Sequence, residues 1–285
     1  IYKLNSISKQ FTAMAIIILK NKQQISLNDN LSKYIPELKF YKNVTIKNLL
    51  NHTHGIPEYN ILFEEKWDKT KIATNKDIIK LYKKHKPKKL FNAGDKFIYG
   101  SIGYELLAII IERVSKKSYD TFLTENIFKP LKMENTYVFS VKSIDKYTPS
   151  YNARMVPYKI EKYDCIYGDK NVYSTARDMF LWDKALTEGK YLQQATMDMA
   201  YEPKSPTNKY FHNYGLGWRI LTNPNEEKLI YHNGWWHGNN TVFTRLIRET
   251  ATIIILGNRY NSSIYKGKQI ASVFTGKEDT TSLEE

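Results

Sequence analysis

Three short strings hold residue types that could carry out covalent chemistry: Ser6-Ile7-Ser8-Lys9, Tyr99-Gly100-Ser101 and His232-Asn233-Gly234. A serine hydroxyl is a weak nucleophile until a base takes its proton, and a Ser-Lys pair is one alternative to Ser-His-Asp for that task. Residues three apart share one face of a helix, so a helix here would set the Lys9 amine one turn from the Ser6 hydroxyl. Serving as base requires a neutral amine, which burial and neighbouring cations favour. A helix N-terminus adds a field that favours a developing oxyanion, whose direct partners are backbone N–H groups. Tyr99 offers a phenol that can relay a proton between Ser6, Lys9 and a leaving group, given a partly exposed oxygen at the end of a rigid element. His232 on a strand edge can bind the acyl or carboxylate end of a substrate, and a flexible Gly234 lets the backbone of Trp235 approach the scissile carbonyl.

Each string alone is weak. Ser-x-x-Lys recurs at Ser143 to Lys146 and Ser263 to Lys266, and among 22 tyrosines Tyr41-Lys42-Asn43 competes with Tyr99. The third string is rarer, because of the 13 glycines Gly234 alone has a His or Lys two residues before it. A surface helix start, a half-buried aromatic and a turn histidine would account for the three strings singly. Their order and spacing as a set carry the argument.

The elements that must position these residues follow from periodicity. Ser8 to Lys20 places Phe11, Met14, Ala15, Ile18 and Leu19 at helical spacing with Ile16 and Ile17 between them, which predicts a buried helix. Ser101 to Ser115 repeats apolar residues at Tyr104, Leu107, Ala108 and Ile111, a helix with Ser101 as N-cap and Tyr99 at its mouth. Further helices are expected at Thr45 to Asn51, Tyr119 to Ile127, Thr175 to Leu186 and Gln194 to Ala200. Strands are expected at Gly217 to Leu221, Lys228 to His232, Thr241 to Arg248 and Ala251 to Leu256.

At 285 residues, 42% hydrophobic and 25% charged, the chain can bury a substantial core and lacks the composition of a disordered protein. Its longest apolar run, Ala13 to Leu19, is too short for a bilayer, and no signal-peptide pattern is present in the sequence as given. The formal charge of +14 is spread among acids without an arginine stripe, so a polyanion-binding module is the weakest functional class and no nucleic-acid partner is expected. The run Lys83-Lys84-His85-Lys86-Pro87-Lys88-Lys89 is expected to be a solvated loop or helix end. Cys165 is the one cysteine, which excludes an internal disulfide and thiol-based zinc spacing.

Taken together, the strings resemble those of the serine beta-lactamase-like hydrolases and penicillin-binding proteins, in the branch of class C beta-lactamases, D,D-peptidases and esterases. Asn5 to Thr12 looks like the nucleophile helix, and Leu49-Leu50-Asn51-His52-Thr53-His54-Gly55-Ile56-Pro57 is similar to a characteristic family loop. Phe91 to Ser101 resembles the approach to the catalytic tyrosine, which favours Tyr99 over Tyr41, and Tyr173 to Asp178 and Tyr214 to Trp218 match further landmarks. The resemblance implies an α/β (α+β) fold of the beta-lactamase/transpeptidase kind, an antiparallel sheet flanked by helices plus an all-helical lobe. It implies one catalytic domain over 1–285, with roughly 1–40 and 205–285 as sheet lobe and 41–204 as helical lobe.

By the same resemblance, Ser6 is acylated, Lys9 and Tyr99 shuttle protons, and the N–H groups of Ser6 and Trp235 form the oxyanion hole. Ser101, His232, Gly234 and Trp235 are the expected substrate-binding residues, no cofactor or metal is required, and the substrate is a small-molecule or peptidoglycan-like acyl compound. Two departures stand out. Ser101 occupies the place of the usual Asn, which in the family contacts the substrate amide and the catalytic Lys. Ser6 lies almost at the start, so the strands that usually precede the nucleophile helix are missing from this sequence. The family's tendency toward the envelope or exterior sets the expected location. His232, in place of the Lys of beta-lactamases, leans toward esterases and peptidases, with Trp235-Trp236 as an aromatic wall whose Trp236 is partly exposed in the cleft. A non-catalytic binder of peptidoglycan or beta-lactams on the same scaffold is the competing expectation.

Overall fold

Ser8–Asn21 forms a helix that is apolar nearly all round, so it cannot lie on the surface: Phe11, Ala13, Ala15, Ile16, Ile17 and Leu19 are buried, as are the polar Ser8, Lys9, Gln10 and Thr12. Burying each large side chain contributes about 1.5–3 kcal/mol. A second such helix, Ile102–Ser115, packs against it. A computed structural model describes residues 1–189, 194–203, 212–222, 228–270 and 273.

The strands are β1 (Tyr2–Lys3), β2 (Tyr137–Val138), β3 (Val172–Ser174), β4 (His212–Tyr214), β5 (Arg219–Thr222), β6 (Lys228–Trp236), β7 (Asn239–Leu246) and β8 (Ala251–Gly257). β4-β5-β6-β7-β8 make an antiparallel sheet in sequence order, and β1-β3-β2 make a smaller antiparallel one. Hairpin-connected neighbours of this kind need only short turns. At one margin β8 has β7 alone beside it among the described residues. The two residues of β1 that precede the nucleophile helix pair with β3 and not with the large sheet.

The expected strands are present with shifted ends, and one shift matters for function. β6 was expected to stop at His232 but runs to Trp236, because the turn at His237 and Gly238 comes only there before β7 returns, with Trp236 opposite Asn239. The expected helices are also present, Tyr119–Leu123 continuing as a wider turn over Thr124–Phe128. The sequence reading did not foresee the helices Tyr59–Lys66 and Asn75–His85, nor β2 and β3 within the stretch expected to be all-helical. Asn75–His85 opens on a capping box between Thr74 and Asp77 and ends in Lys83, Lys84 and His85, so the basic run is a helix end.

Candidate active site

Ser6 stands in a single 3-10 turn, Asn5–Ile7, that leads into the Ser8–Asn21 helix. Lys9, one turn later and without solvent exposure, donates from Nζ to Ser6 Oγ at 3.2 Å and to the main-chain carbonyl of Asp169 at 3.2 Å. The turn is tied down on both sides. The Leu4 N–H reaches the Val172 carbonyl at 2.8 Å, and the Val172 N–H reaches Ser8 Oγ at 3.0 Å. Asn5 takes a left-handed conformation at φ 54°, which Asn tolerates better than most residues, and its side-chain amide donates to the Asn239 carbonyl.

β6 carries the third string past the nucleophile. β5 pairs with β6 from Lys228 to Tyr231, so His232 to Trp236 pair with β7 on one side alone among the described residues. That gives the strand edge expected at His232. Gly234 is needed here for space, since its backbone is not among the left-handed ones that favour glycine by conformation. A Cβ there would overlap the Leu4 carbonyl and the Thr241 hydroxyl and press on Asn5 Cβ at 3.0 Å. The Thr241 hydroxyl itself donates to the Leu4 carbonyl at 2.9 Å. Absence of a side chain therefore lets the nucleophile turn dock on the sheet.

His232 corrects an expectation. It is fully buried, with Nε2 3.2 Å from the Tyr214 hydroxyl and Nδ1 2.7 Å from the Asn233 carbonyl, so neither nitrogen is open to a substrate. Burial, reinforced by the charges of Arg219 and Lys9, holds its pKa well below the usual histidine value, so the ring is neutral at pH 7 and cannot offer charge to a carboxylate. Its ring lies 6.0 Å from that of Tyr99, centroid to centroid.

Tyr99 is reached through a loop held to a second loop. Backbone bonds run from Leu90 N–H to Gly55, from Gly94 N–H to Thr53 and from Ile98 N–H to His52, zipping the family-like loop onto the approach to Tyr99. Gly55, at φ 69°, has no room for a Cβ beside the Phe91 carbonyl. The His52 ring packs on Tyr99 at 4.5 Å and its Nδ1 accepts the Gly100 N–H at 3.3 Å. Glu58 Oε1 accepts from Ser101 N–H at 2.9 Å and Ile102 N–H at 3.3 Å, so a carboxylate from another segment caps the Ile102–Ser115 helix. Ser101 stands at the expected N-cap position, but its side chain makes no capping bond. Lys9 Nζ lies 5.1 Å from the centre of the Tyr99 ring. The Tyr99 oxygen is buried and without a hydrogen-bond partner, whereas a partly exposed one was expected. The competing Tyr41 is excluded from the cluster, its hydroxyl given to the Pro87 carbonyl.

Ser6, Lys9, Tyr99 and His232 are thus gathered, with Gly234 packed against the nucleophile turn. Ser101, at the head of the Ile102–Ser115 helix, interacts with the Asp169 carboxylate and helps to hold its pKa below the usual value. Trp235 is 62% exposed, while Trp236 is half-buried and donates from its indole to Asp164 at 2.6 Å. Both line a groove of about 580 Å³ with Arg154, Tyr158, His237 and Tyr260. Sequence reasoning missed His52, Glu58, Asp169, Lys170 and Arg219, the last of which lies over the Tyr99 ring at 4.8 Å. None belongs to a spaced string. For His52 and Glu58, the His-Thr-His-Gly-Ile-Pro loop was the available signal.

A family model described as Beta-lactamase matches residues 1–271. The chain belongs to the Beta-lactamase family. It is thereby a member of a hydrolase family of the beta-lactamase-like, penicillin-binding kind. It is 33% identical to penicillin-binding protein 4* of Bacillus subtilis, over 93% of this chain and 62% of that one. It is 28% identical to protein flp of Staphylococcus aureus, over 90% of this chain and 52% of that one. The chain therefore spans only part of the length of these curated relatives. The octameric penicillin-binding protein homologue from Pyrococcus abyssi superimposes with a TM-score of 0.82 at 25% identity, over 97% of this chain and 66% of that one. A D-stereospecific amidohydrolase from Streptomyces sp. superimposes with a TM-score of 0.78 at 21% identity, over 97% of this chain and 87% of that one, a likeness of fold. Family and fold class are those the three strings implied.

Proposed function

We propose that this chain is a serine hydrolase working through an acyl-enzyme, with Ser6 as nucleophile, Lys9 as base and Tyr99 as proton relay. The observation that carries the reading is the 3.2 Å hydrogen bond between the Lys9 amine and the Ser6 hydroxyl at a helix start. In the first half-reaction the Lys9 amine takes the Ser6 proton as Oγ bonds to the substrate carbonyl carbon, and the oxyanion is met by the N–H groups of Ser6 and Trp235. The proton then passes by way of Tyr99 to the departing alcohol or amine. In the second, water adds to the acyl carbon, its proton goes to the same base, and Ser6 Oγ leaves with a proton restored. Ser101 stays a substrate-binding residue in this reading, while buried His232 acts by holding Tyr214 and walling Tyr99 in place of direct substrate contact.

The substrate class in this reading is an ester, amide or beta-lactam, in the order esterase, D-amino-acid peptidase, beta-lactamase. The relatives named penicillin-binding proteins and the amidohydrolase support an acyl substrate of peptidoglycan-like type. The aromatic groove beside Trp235 would take an apolar acyl group or a sugar face, and the envelope or exterior is the location that goes with such a substrate. Among the described residues no helix is long and apolar enough to cross a membrane.

The test is turnover of a chromogenic short-chain ester and a chromogenic cephalosporin by the parent, Ser6→Ala and Lys9→Met. Each substitution is expected to lower turnover by on the order of 10³-fold or more. Retention of parental rates by Ser6→Ala would refute the assignment. The partnerless Tyr99 oxygen favours one second reading, a non-catalytic binder on the same scaffold. A stable Ser6 adduct without turnover of either substrate would support it.

A further inference from the structure

Lys9 is held at a second point, by a loop that carries buried charges of its own. The Gly168 to Asn171 loop is pinned where it passes the nucleophile helix: the Thr12 hydroxyl donates to the Gly168 carbonyl at 2.5 Å. Gly168 adopts φ +112°, and a Cβ there would press on Ala108 Cβ at 2.9 Å. Asn171, also left-handed at φ 78°, donates its amide to the Asp164 and Ile166 carbonyls at 2.6 and 2.7 Å. Between these anchors the Asp169 carbonyl points at Lys9. The Asp169 carboxylate accepts from Lys170 Nζ at 3.2 Å to each oxygen, and from Ser101. Lys170 Nζ in turn donates to the Tyr59 hydroxyl at 3.0 Å and lies 3.7 Å from Glu105, whose two oxygens have no hydrogen-bond partner. Asp169, Lys170 and Glu105 are each at most 3% exposed.

Resting on the reading of Ser6 and Lys9 above, we propose that the Asp169–Lys170 pair positions the catalytic lysine: the Asp169 carbonyl fixes the Lys9 amine, and the paired charges balance the field at it. Ser101, which stands where the family usually has Asn, interacts with the Asp169 carboxylate of this pair. Buried charges this close to one another are poorly screened, so removing either one alone changes the net charge of the loop that holds Lys9. The remaining titratable and charged groups facing Lys9 are Tyr99, Tyr104, Glu105, His52, Glu58 and His232, with Arg219 over the Tyr99 ring. Burial keeps His52 and His232 neutral, and it raises Glu58 and Glu105 toward their protonated forms.

The signs are therefore opposite for the two variants. Asp169→Asn removes a negative charge that favours the ammonium form, so the ascending limb of kcat/KM against pH moves to lower pH. Lys170→Met removes a positive charge that opposes it, so the limb moves to higher pH. Each displacement is up to about one pH unit, as expected for the loss of a nearby charge at a buried site. The double variant Asp169→Asn with Lys170→Met brings the limb back to within a few tenths of a unit of the parent, and Lys170→Arg leaves it in place. The profiles are recorded with the chromogenic ester, alongside thermal unfolding of each variant. Lys170→Met and Lys170→Arg decide the matter should Asp169→Asn not fold. Limbs that stay put, or both singles moving the same way, overturn the inference. Retained turnover in Ser6→Ala overturns instead the underlying reading, so the two failures are separable.

Discussion

A glycine and a histidine two residues apart show how differently a single position can serve one site. Gly234 is excluded from being anything larger, because Leu4, Asn5 and Thr241 fill the space a Cβ needs. Gly234→Ala is thus expected to push the nucleophile turn off the sheet, destabilising the fold by about 1–3 kcal/mol as overpacking does and lowering ester turnover by at least tenfold. Urea unfolding and kcat together check this, and a parent-like kcat in the variant would show that the turn does not depend on that approach. The three strings made Gly234 visible as a candidate, yet its reason was not legible, since Leu4 and Asn5 lie some 230 residues away in sequence. The burial of His232 was equally hidden, because it depends on Tyr214 and Tyr99 closing over it. By contrast the Ser6–Lys9 contact was legible, being a matter of helical period alone.

Among the elements, the Ile102–Ser115 helix turns on Glu58. Its carboxylate takes two of the N–H groups that the first turn leaves without partners, and Gly100 leaves room for it, since a Cβ there would overlap that carboxylate. Glu58→Gln keeps an oxygen in place and is expected to lose a few tenths of a kcal/mol, whereas Glu58→Ala loses about 1 kcal/mol with the cap. Because the same segment carries Tyr99, Glu58→Ala should also lower kcat more than it raises KM. Equal turnover in Ala and Gln variants would detach the cap from Tyr99. Periodicity had found this helix to within a residue and named its N-cap position, but the capping group comes from 43 positions upstream and is not encoded in any local pattern. The extension of β6 to Trp236 escaped for a similar reason. Two tryptophans before a turn look like loop or strand until β7 pairs with them.

Over the whole molecule, buried neutral histidines tie stability to pH. His54 is 3% exposed, accepts the Ile56 N–H at 2.9 Å, and is lowered by burial to about 4. A histidine whose pKa falls on folding binds its proton more readily when unfolded, so its contribution is complete above the unfolded value near 6.5 and is lost as pH drops toward 4. For His54 that loss approaches about 3 kcal/mol by pH 4. Glu58 and Glu105, raised by burial, act with the opposite sign, so a difference measurement isolates the histidine. Thermal unfolding at pH 7 and pH 4.5 should show His54→Asn losing less stability between the two than the parent. An equal loss in both would mean that His54 is not the group responsible.

The same packing that hides these groups also assembles residues 6, 9, 99 and 232 from three separate stretches, which makes the hydroxyl of Ser6 the centre on which the account stands. Its most direct test is peptide-level mass spectrometry after exposure to a fluorophosphonate and, in parallel, to a penicillin. The account predicts one adduct on the peptide holding Ser6, absent from Ser6→Ala and reduced at least a hundredfold in rate in Lys9→Met. Labelling that persists in Ser6→Ala, or that maps to another serine, would contradict it.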